Sequence, residues 1–448
     1  MCDNHAVSRR SFLKSASCGF GALALAGLAT EAAAASDNPL APKAPHFPAK
    51  AKRVIFLFMQ GGPSHVDTFD YKPLLKRDDG KPRPGGMAGG KGGGALLAPQ
   101  FEFKQHGQSG QWISSLFPHV AEHADEITIL NGMYGDSPAH PQASIQMHTG
   151  TAQFVRPSMG SWVLYGLGTP NQNLPGFISI NPVTNFNTMG AAFLPAAFQG
   201  TSIGRGKTTI PNVTPALPAA QQRRQLDLVQ SMNRDLLDRS GGDTEIEGVI
   251  ESMELAYRMQ SSVPDVIDLS KESKATRELY GPGEFAEQCL LARRFAEAGV
   301  RFIELSYRGW DQHNNLHNAM TRNAQATDQG IAGLLEDLRQ RGMLNETLVV
   351  WGGEFGRTPS GQGRDGRNHN NRGFSMWMAG GGVKGGQTYG ATDDYGFAAV
   401  KDKTHVHDLH ATILNCLGLD HERLTYRYAG RDFRLTDVSG TVVKPILA

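Results

Sequence analysis

The sequence is poor in cysteine and contains no long apolar run. Its 448 residues include four cysteines, of which Cys2 and Cys18 fall in the export signal described below. The remaining Cys289 and Cys416 lie within apolar helical patterns, so a disulfide framework is excluded and two buried thiols are favoured over a single disulfide. No apolar run reaches the roughly 20 residues of a membrane-spanning helix. We therefore expect no stable membrane span in the mature chain.

The chain also lacks an excess of charge of either sign. Its 44 basic and 43 acidic side chains become equal in number once residues 1–35, with three basic and two acidic side chains, are removed. Nucleic-acid binders carry a basic footprint, so no nucleic-acid partner is expected. Two catalytic motifs are absent as well: there is no H-E-x-x-H helix and no spaced-cysteine zinc site. The glycine-rich stretches at 85–91 and 201–208 lack residues that a phosphate loop requires.

The N-terminus predicts export. An arginine pair stands in Ser8–Lys14, an apolar stretch runs from Gly19 to Leu28, and a small-residue run follows at Ala32–Ala35. These are the three parts of a removable signal, and the arginine pair indicates the twin-arginine translocase as the partner during export. We expect a periplasmic or secreted protein with a signal at 1–35, a linker at 36–52 and one domain at 53–448 that has an irregular insertion around 169–260.

The apolar pattern predicts an α/β domain. Unalternated apolar runs closed by glycines are typical of buried parallel strands. Strands alternating with amphipathic helices imply a mainly parallel sheet covered on both faces. The predicted strands are Val54–Met59, Ile127–Leu130, Val300–Tyr307, Thr347–Trp351 and Ser375–Ala379, and the predicted helices are Gln221–Ser240, Thr244–Gln260, Glu284–Ala298, Asn318–Gln340 and Leu409–Leu417. The glycine-rich segment Asp78–Pro99 is predicted to be a loop.

Polar clusters follow four of these elements, where open α/β sheets bind ligands. After the first strand, Ser64 and Asp67 offer either a metal ligand or a helix cap. After Val300–Tyr307, Asp311 and His313 form a natural divalent-metal pair if the backbone stays extended, and belong to a surface loop otherwise.

The other two clusters are at 352–359 and 404–410. Glu354 is costly in a core unless it binds metal, and Arg357 suits an anionic ester; the alternative is a structural ion pair between the two. His405 and His407 share a face of an extended segment and are predicted metal ligands, whereas His410 is a core or supporting histidine. His369 is a weaker candidate.

Residues from about Arg53 to the C-terminus resemble the domain-of-unknown-function 1501 family, exported proteins similar to sulfatases and related to the alkaline phosphatase superfamily. The matching stretches are Gly61–Asp70, His140–Gly150, Trp310–Asn314, Gly353–Pro359, Ala379–Gly386, Gly390–Asp393, His405–Leu417, Leu424–Tyr426 and Gly430–Asp432. The resemblance implies an alkaline-phosphatase-like three-layer sandwich with a mainly parallel central sheet. It also implies one or two divalent metals, zinc first, with manganese or calcium as alternatives.

The resemblance maps onto individual positions. Asp311 and His313 resemble the Asp–His metal pair, Glu354–Gly356 resembles an Asp-His-Gly ligand turn, and His405 resembles the last histidine ligand. In sulfatases a cysteine precedes a Thr-Gly pair by nine residues, and here Thr149 and Gly150 place His140 at that position, so formylglycine chemistry cannot occur. Ser144 would attack as nucleophile, or His140 would bind metal or activate water; the alternative is a structural helix with no catalytic role.

Two functions follow as hypotheses. The first is an exported metal-dependent hydrolase of a small-molecule or polysaccharide sulfate or phosphate ester. Its predicted metal ligands are Asp67, Asp311, His313, Glu354, His405 and His407, its catalytic residues His140, Ser144 and Arg357, and its substrate-binding residues Ser64, His148, Arg367 and His369. The second is a non-catalytic relative that binds envelope or polysaccharide components.

Overall fold

The computed structural model describes residues 38–83, 94–183, 188–204, 217–240 and 244–448. The predicted export signal and part of the glycine-rich loop lie outside these ranges. Within them, no helix combines the length and the apolar character needed to cross a membrane.

The described ranges contain seventeen short and long strands. They are β1 (Arg53–Gln60), β2 (Phe103–His106), β3 (Gln111–Ser114), β4 (Ile127–Tyr134), β5 (Phe177–Ile180), β6 (Thr201–Ile203), β7 (Phe302–Arg308), β8 (Thr347–Gly352), β9 (Gly356–Gln362), β10 (Gly366–Asn370), β11 (Phe374–Ala379), β12 (Gln387–Tyr389), β13 (Ala391–Thr392), β14 (Ala399–Lys401), β15 (Thr404–His405), β16 (Tyr426–Tyr428) and β17 (Arg431–Phe433).

Ten α-helices accompany them in the same ranges. They are α1 (His65–Thr68), α2 (Pro73–Arg77), α3 (His140–Thr149), α4 (Met159–Leu167), α5 (Ala219–Ser240), α6 (Thr244–Ile267), α7 (Lys274–Tyr280), α8 (Glu284–Glu297), α9 (Leu316–Gln340) and α10 (Val406–Cys416). Short 3-10 turns, among them Ala196–Phe198, connect several elements.

The central sheet orders its strands β12-β4-β11-β8-β1-β7-β5-β6, and β15 pairs with β4. The pairs β1–β7, β1–β8, β5–β7 and β4–β12 are parallel, whereas β11 pairs antiparallel with both β8 and β4. Strand β11 therefore runs against the others, and its first residue lies at the edge where β1, β4, β7 and β8 end. A hairpin of β9 and β10 stands at this same edge.

Apolar side chains cover both faces of the sheet. In β1, Ile55, Leu57 and Met59 pack in one buried cluster with residues of α8 and α9. The alternate residues Val54, Phe56 and Phe58 pack in a second cluster with α3, α4 and α10. This period-2 alternation, with both sides apolar, is what a strand buried between two helical layers requires. The predicted α/β class with a mainly parallel sheet in three layers is confirmed.

One expectation about local structure changes. The segment from residue 169 to 214 was expected to be irregular, because its apolar positions show no clear period, yet β5 and β6 lie there and complete one end of the sheet. Both strands are short, which leaves little pattern to detect.

The cysteine prediction is confirmed, since Cys289 and Cys416 are free and buried, and burial raises the pKa of the Cys416 thiol to about 12.

A buried histidine fixes α10 to the helix that carries His140. His410 is fully buried and its Nε2 lies 2.8 Å from the Met147 carbonyl of α3. Burial, with a smaller effect of His407, lowers the pKa of His410 from 6.5 to about 3, although the bond to Met147 opposes this. The folded chain therefore keeps His410 neutral over a pH range in which the unfolded chain binds a proton.

This difference predicts acid destabilisation. Between about pH 6.5 and pH 3 protons favour the unfolded chain, so stability is lost as pH falls, by about 1.4 kcal/mol per pH unit from this one group. His410→Gln keeps an N–H for Met147 and removes the titration, so we expect a shallower fall in the free energy of urea unfolding between pH 6 and pH 4. Exposed His317→Gln is the control, and equal slopes in both variants would contradict the assignment.

Candidate metal centre

Five segments meet at the edge of the sheet where the parallel strands end. The turns after β1, β7 and β8 bring Gly61, Asp311 and Glu354 there, and the loop after β4 leads into α3, which begins at His140. The fifth segment is β10 with His369, which precedes the antiparallel strand β11. Because β11 runs the opposite way, the segment before it reaches the edge that the other segments reach after their strands.

Four side chains converge at this edge. One ligand atom from each of His140, Asp311, His313 and His369 lies within 4.8 Å of all the others. Asp311 Oδ1 lies 3.2 Å from His140 Nε2, 2.9 Å from His313 Nε2 and 3.3 Å from His369 Nε2. The Nε2 atoms of His313 and His369 are 2.9 Å apart. We call these four residues the His/Asp cluster.

The second nitrogen of each imidazole is held by an acceptor. The Nδ1 atoms of His140, His313 and His369 lie 2.7 Å from Glu354 Oε1, Gln362 Oε1 and the Pro138 carbonyl, respectively. Since these acceptors need a proton on Nδ1, a neutral ring directs the lone pair of Nε2 into the cluster. Two such lone pairs at 2.9 Å repel each other unless a cation lies between them. The buried Nε2 of His140 lies 3.2 Å from Asp311 Oδ1 and has no hydrogen bond to any other described residue.

The donor set fits a divalent metal. A tetrahedral zinc site with bonds of about 2.0 Å separates its ligand atoms by about 3.3 Å, close to the distances between 2.9 and 3.3 Å around Asp311 Oδ1. The bond between His140 and Glu354 is the carboxylate–histidine pairing that orients metal-bound imidazoles. The fold and this cluster together define a three-layer α/β protein with a candidate metal centre at the carboxyl edge of its sheet.

Arg357 and two carboxylates set the charge of the centre. Burial tends to raise the pKa of Asp311, but hydrogen bonds from His140, His369 and Arg357 hold that pKa well below its usual range. Burial tends to lower the pKa of His140, but its hydrogen bonds with Asp311 and Glu354 raise the pKa to about 9. Without a metal, a proton on His140 therefore neutralises part of the negative charge of Asp311 and Glu354.

Gly61 permits the close approach of two of these turns. Its φ is +115°, and a Cβ there would lie 2.6 Å from Asp311 N and 2.7 Å from the Trp310 carbonyl carbon. Its amide also donates to both Glu354 oxygens, at 3.0 and 3.1 Å. A side chain at Gly61 would be strained in this backbone conformation and would push the Asp311 turn away from Glu354.

Arg357 is predicted to hold an anionic ester, but its guanidinium group is occupied by protein acceptors. Its side chain is fully buried. Each of its three nitrogens donates to a protein acceptor: Nε to Gly62 O, one terminal nitrogen to Arg367 O, and the other to Gly61 O, Trp310 O and Asp311 Oδ1. No ion pair with Glu354 is formed among the described residues. Arg357 thus ties the turns after β1 and β7 together and neutralises Asp311.

Asp67, Ser64 and Arg367 form a separate buried network. Arg367 Nε lies 2.7 Å from Asp67 Oδ2, and both side chains are completely buried. Ser64 Oγ donates to the same carboxylate and the Gln100 amide donates to its other oxygen. Both oxygens of Asp67, the predicted metal ligand, therefore accept hydrogen bonds from protein groups. All three nitrogens of Arg367 also donate to protein acceptors outside the His/Asp cluster.

His405 and His407 also lie outside the cluster. His405 Nδ1 accepts the His407 amide and caps α10, while its Nε2 lies 3.1 Å from Asp136 Oδ1. His407 Nε2 donates to the Gly150 carbonyl at 2.6 Å. Both rings use a nitrogen in holding α10 against neighbouring segments.

Ser144 and His148 lie below the surface on α3. The Ser144 hydroxyl is fully buried and has no partner among the described residues. His148 is buried between the rings of Phe56 and Phe58, donates from Nδ1 to Ser144 O and lies 3.3 Å from Glu304. The positions assigned to nucleophile and substrate binding thus form a buried polar row beneath His140.

The sequence pattern does not reveal Gln362. It lies in β9, faces His313 and has no motif that distinguishes it from any loop glutamine; only the pairing of β9 with β10 brings it to the centre. The sequence predicts His369 as a substrate-binding residue, and the structure places it in the His/Asp cluster.

Comparison with known proteins shows the family. Residues 51–447 match the model of the family described as protein of unknown function DUF1501, and the chain belongs to this family. A search of curated proteins found no match.

Several solved structures resemble the chain at low identity. A phosphonate monoester hydrolase from Silicibacter pomeroyi has a TM-score of 0.39 and 11% identity over 88% of this chain and 76% of its own. A PsFucS1 sulfatase from Pseudoalteromonas sp. has a TM-score of 0.35 and 13% identity over 83% and 69%. A TAB5 alkaline phosphatase has a TM-score of 0.34 and 11% identity over 83% and 99%. The fold class rests on the sheet topology, not on these likenesses.

The buried pair of Arg367 and Asp67 yields a stability prediction. Arg367→Met leaves the Asp67 carboxylate buried without its counter-charge, which costs about 3 to 5 kcal/mol. Urea unfolding measures this loss. Arg364→Met, on the exposed tip of the same hairpin, is the matched control and should change stability by less than about 0.5 kcal/mol. Equal effects of both substitutions would show that the pair is not structural.

Proposed function

We propose that this chain is an exported hydrolase that cleaves a sulfate or phosphate ester with a divalent metal held at the His/Asp cluster. The observation that carries the proposal is the convergence of three Nε2 atoms on one oxygen of Asp311, with each Nδ1 held by an acceptor. The arginine pair at Arg9 and Arg10 supports export through the twin-arginine translocase to the periplasm or beyond.

The ligand chemistry favours zinc or manganese over calcium. Three imidazole nitrogens and one carboxylate suit borderline metals, whereas calcium takes six to eight oxygen ligands. A bound divalent metal supplies Lewis-acid polarisation of an ester oxygen and makes water a better nucleophile.

His140 decides between catalysis and a purely structural metal. Four protein ligands complete a tetrahedral site, while catalytic sites keep an open position. Asp311, His313 and His369 form a set of two histidines and one carboxylate, a set that leaves positions free. His140 is then the proton-transfer group of the reaction, because Glu354 fixes its ring and its Nε2 has no partner besides Asp311 among the described residues.

The closed four-ligand set favours a second candidate function. If His140 binds the metal as tightly as the other three residues, the centre is saturated by protein and serves as a structural site. The chain would then be a non-catalytic sulfatase-like protein that binds envelope or polysaccharide components. The two candidates differ in the behaviour of one imidazole, so variants at His140 separate them.

Metal content is the first test. We expect the purified protein to hold close to one zinc or manganese per chain by mass spectrometry. Asp311→Asn and His313→Gln should each weaken binding at least tenfold, because each removes a ligand at the centre of the cluster. His317→Gln, four residues after His313 and exposed, is the matched control. No bound metal after growth and refolding with zinc and manganese would contradict the proposal.

Turnover of aryl sulfates and aryl phosphates is the second test. We expect His140→Gln to retain the metal and to lose at least a hundredfold in kcat, because an amide cannot transfer a proton. Ser144→Ala should retain activity within a few fold, since its hydroxyl is buried. Loss of the metal in His140→Gln would assign His140 as a fourth ligand and support the non-catalytic candidate. Loss of activity in Ser144→Ala with metal retained would instead make serine the nucleophile.

A further inference from the structure

Helix α5 carries two apolar stripes, although α6 is its main helical neighbour among the described residues. It packs on α6, and α6 in turn packs on α8 and on the turn Ala196–Phe198. One stripe, with Leu226, Val229 and Leu237, is partly buried. A helix on a protein surface normally has one apolar face and one polar face. Nothing in the part of the chain that the structure describes packs on the second stripe of α5.

The second stripe is exposed along three helical turns. Leu228, Met232 and Leu236 follow one another at four-residue spacing and are 64, 64 and 53% exposed. Residues four apart lie on the same side of a helix. Three large apolar side chains in a row form a continuous patch, which on soluble proteins marks an interaction site.

Helix α6 continues the patch. Gln222 donates to Gln260 Oε1 at 2.8 Å and Gln230 donates to the Ile250 carbonyl at 2.8 Å, so the two helices run antiparallel. This register places the exposed Val249 and Met253 beside the part of α5 between Leu228 and Leu236. Both helices of the hairpin thus present exposed apolar side chains at matching levels. We call the hairpin face with Leu228, Met232, Leu236, Val249 and Met253 the outer hairpin face.

We propose that the outer hairpin face pairs with the same face of a second copy of this chain, so that two helical hairpins close into a four-helix bundle. A two-fold axis near Met232 sets Leu228 of one copy against Leu236 of the other. Identical surfaces that pair in this way must be self-complementary. The stripe is symmetric about Met232 and meets that condition.

The size of the face suits a dimer. Helix α5 has 22 residues and is therefore about 33 Å long, and two adjacent helices are about 20 Å wide. The face thus covers about 650 Å² before side-chain relief is counted, near the roughly 800 Å² per partner of a stable interface.

The charges favour a second copy over a membrane. Helix α5 contains four arginines and three aspartates, with no lysine and no aromatic residue. Helices that lie on lipid are rich in basic residues on the polar face and carry Trp or Phe on the other. A near-balanced mixture of both signs allows a surface to face its own copy without net repulsion, and the whole chain has a formal net charge of +1.

Sedimentation velocity of the purified protein between 1 and 100 µM tests this inference. We expect a species with the mass of two chains. The pair of substitutions Leu228→Glu and Met232→Glu should weaken association at least tenfold, with unchanged helix content by circular dichroism. Val438→Glu, at a site of similar exposure away from the hairpin, is the matched control and should leave the two-chain mass intact.

A cross-link covers the case in which the double variant misfolds. Met232→Cys should form a covalent dimer on mild oxidation because Met232 lies near the axis, whereas Val438→Cys should not. A one-chain mass at 100 µM overturns the proposal, and so does a two-chain mass that survives the double substitution. Binding of the one-chain species to anionic vesicles would assign the face to lipid instead and would also overturn it. None of these outcomes depends on the metal or on hydrolysis.

Discussion

Three imidazole lone pairs and one carboxylate oxygen share a space too small for them without a cation. The short distances around Asp311 Oδ1 bring like partial charges together, and the acceptors behind each ring prevent the rings from turning away. Such an arrangement is stable only when positive charge enters, either protons or a metal ion. The surrounding structure can be understood as the scaffold that holds this unfavourable geometry in place.

That scaffold depends on the direction of a single strand. The parallel strands β1, β7 and β8 deliver Gly61, Asp311 and Glu354 from their ends, as α/β sheets commonly do. His369 arrives from the other direction, because β11 is antiparallel and the hairpin that precedes it stands over the same edge. Were β11 parallel, its preceding segment would lie at the opposite edge, and the cluster would lose His369 together with Gln362.

Sequence patterns were sufficient for the long strands of the sheet and for half of the cluster, but not for the short strands β5 and β6. Apolar runs locate β1, β7, β8 and β11 to within about two residues, and the rule that ligands lie beyond strand ends points to Asp311 and His313. The reason offered for that pair was incomplete, since β7 ends at Arg308 and a turn, not strand alternation, brings the two side chains together. Asp67 and Arg367 are 300 residues apart, so no local sequence pattern predicts that their charges neutralise each other. A histidine that caps a helix, such as His405, has the same local sequence appearance as one that binds metal.

The burial of Arg357 changes where an anionic substrate would find positive charge. An arginine with a free fork can hold two ester oxygens, but the nitrogens of Arg357 all donate to protein atoms and its side chain has no exposed surface. Its charge is also offset by Asp311 at 2.6 Å. Charge developing on an ester oxygen would therefore be stabilised by the cation at the cluster and by the His140 imidazole, not by this guanidinium. Arg357 instead fixes the position of Asp311, the residue on which His140, His313 and His369 converge.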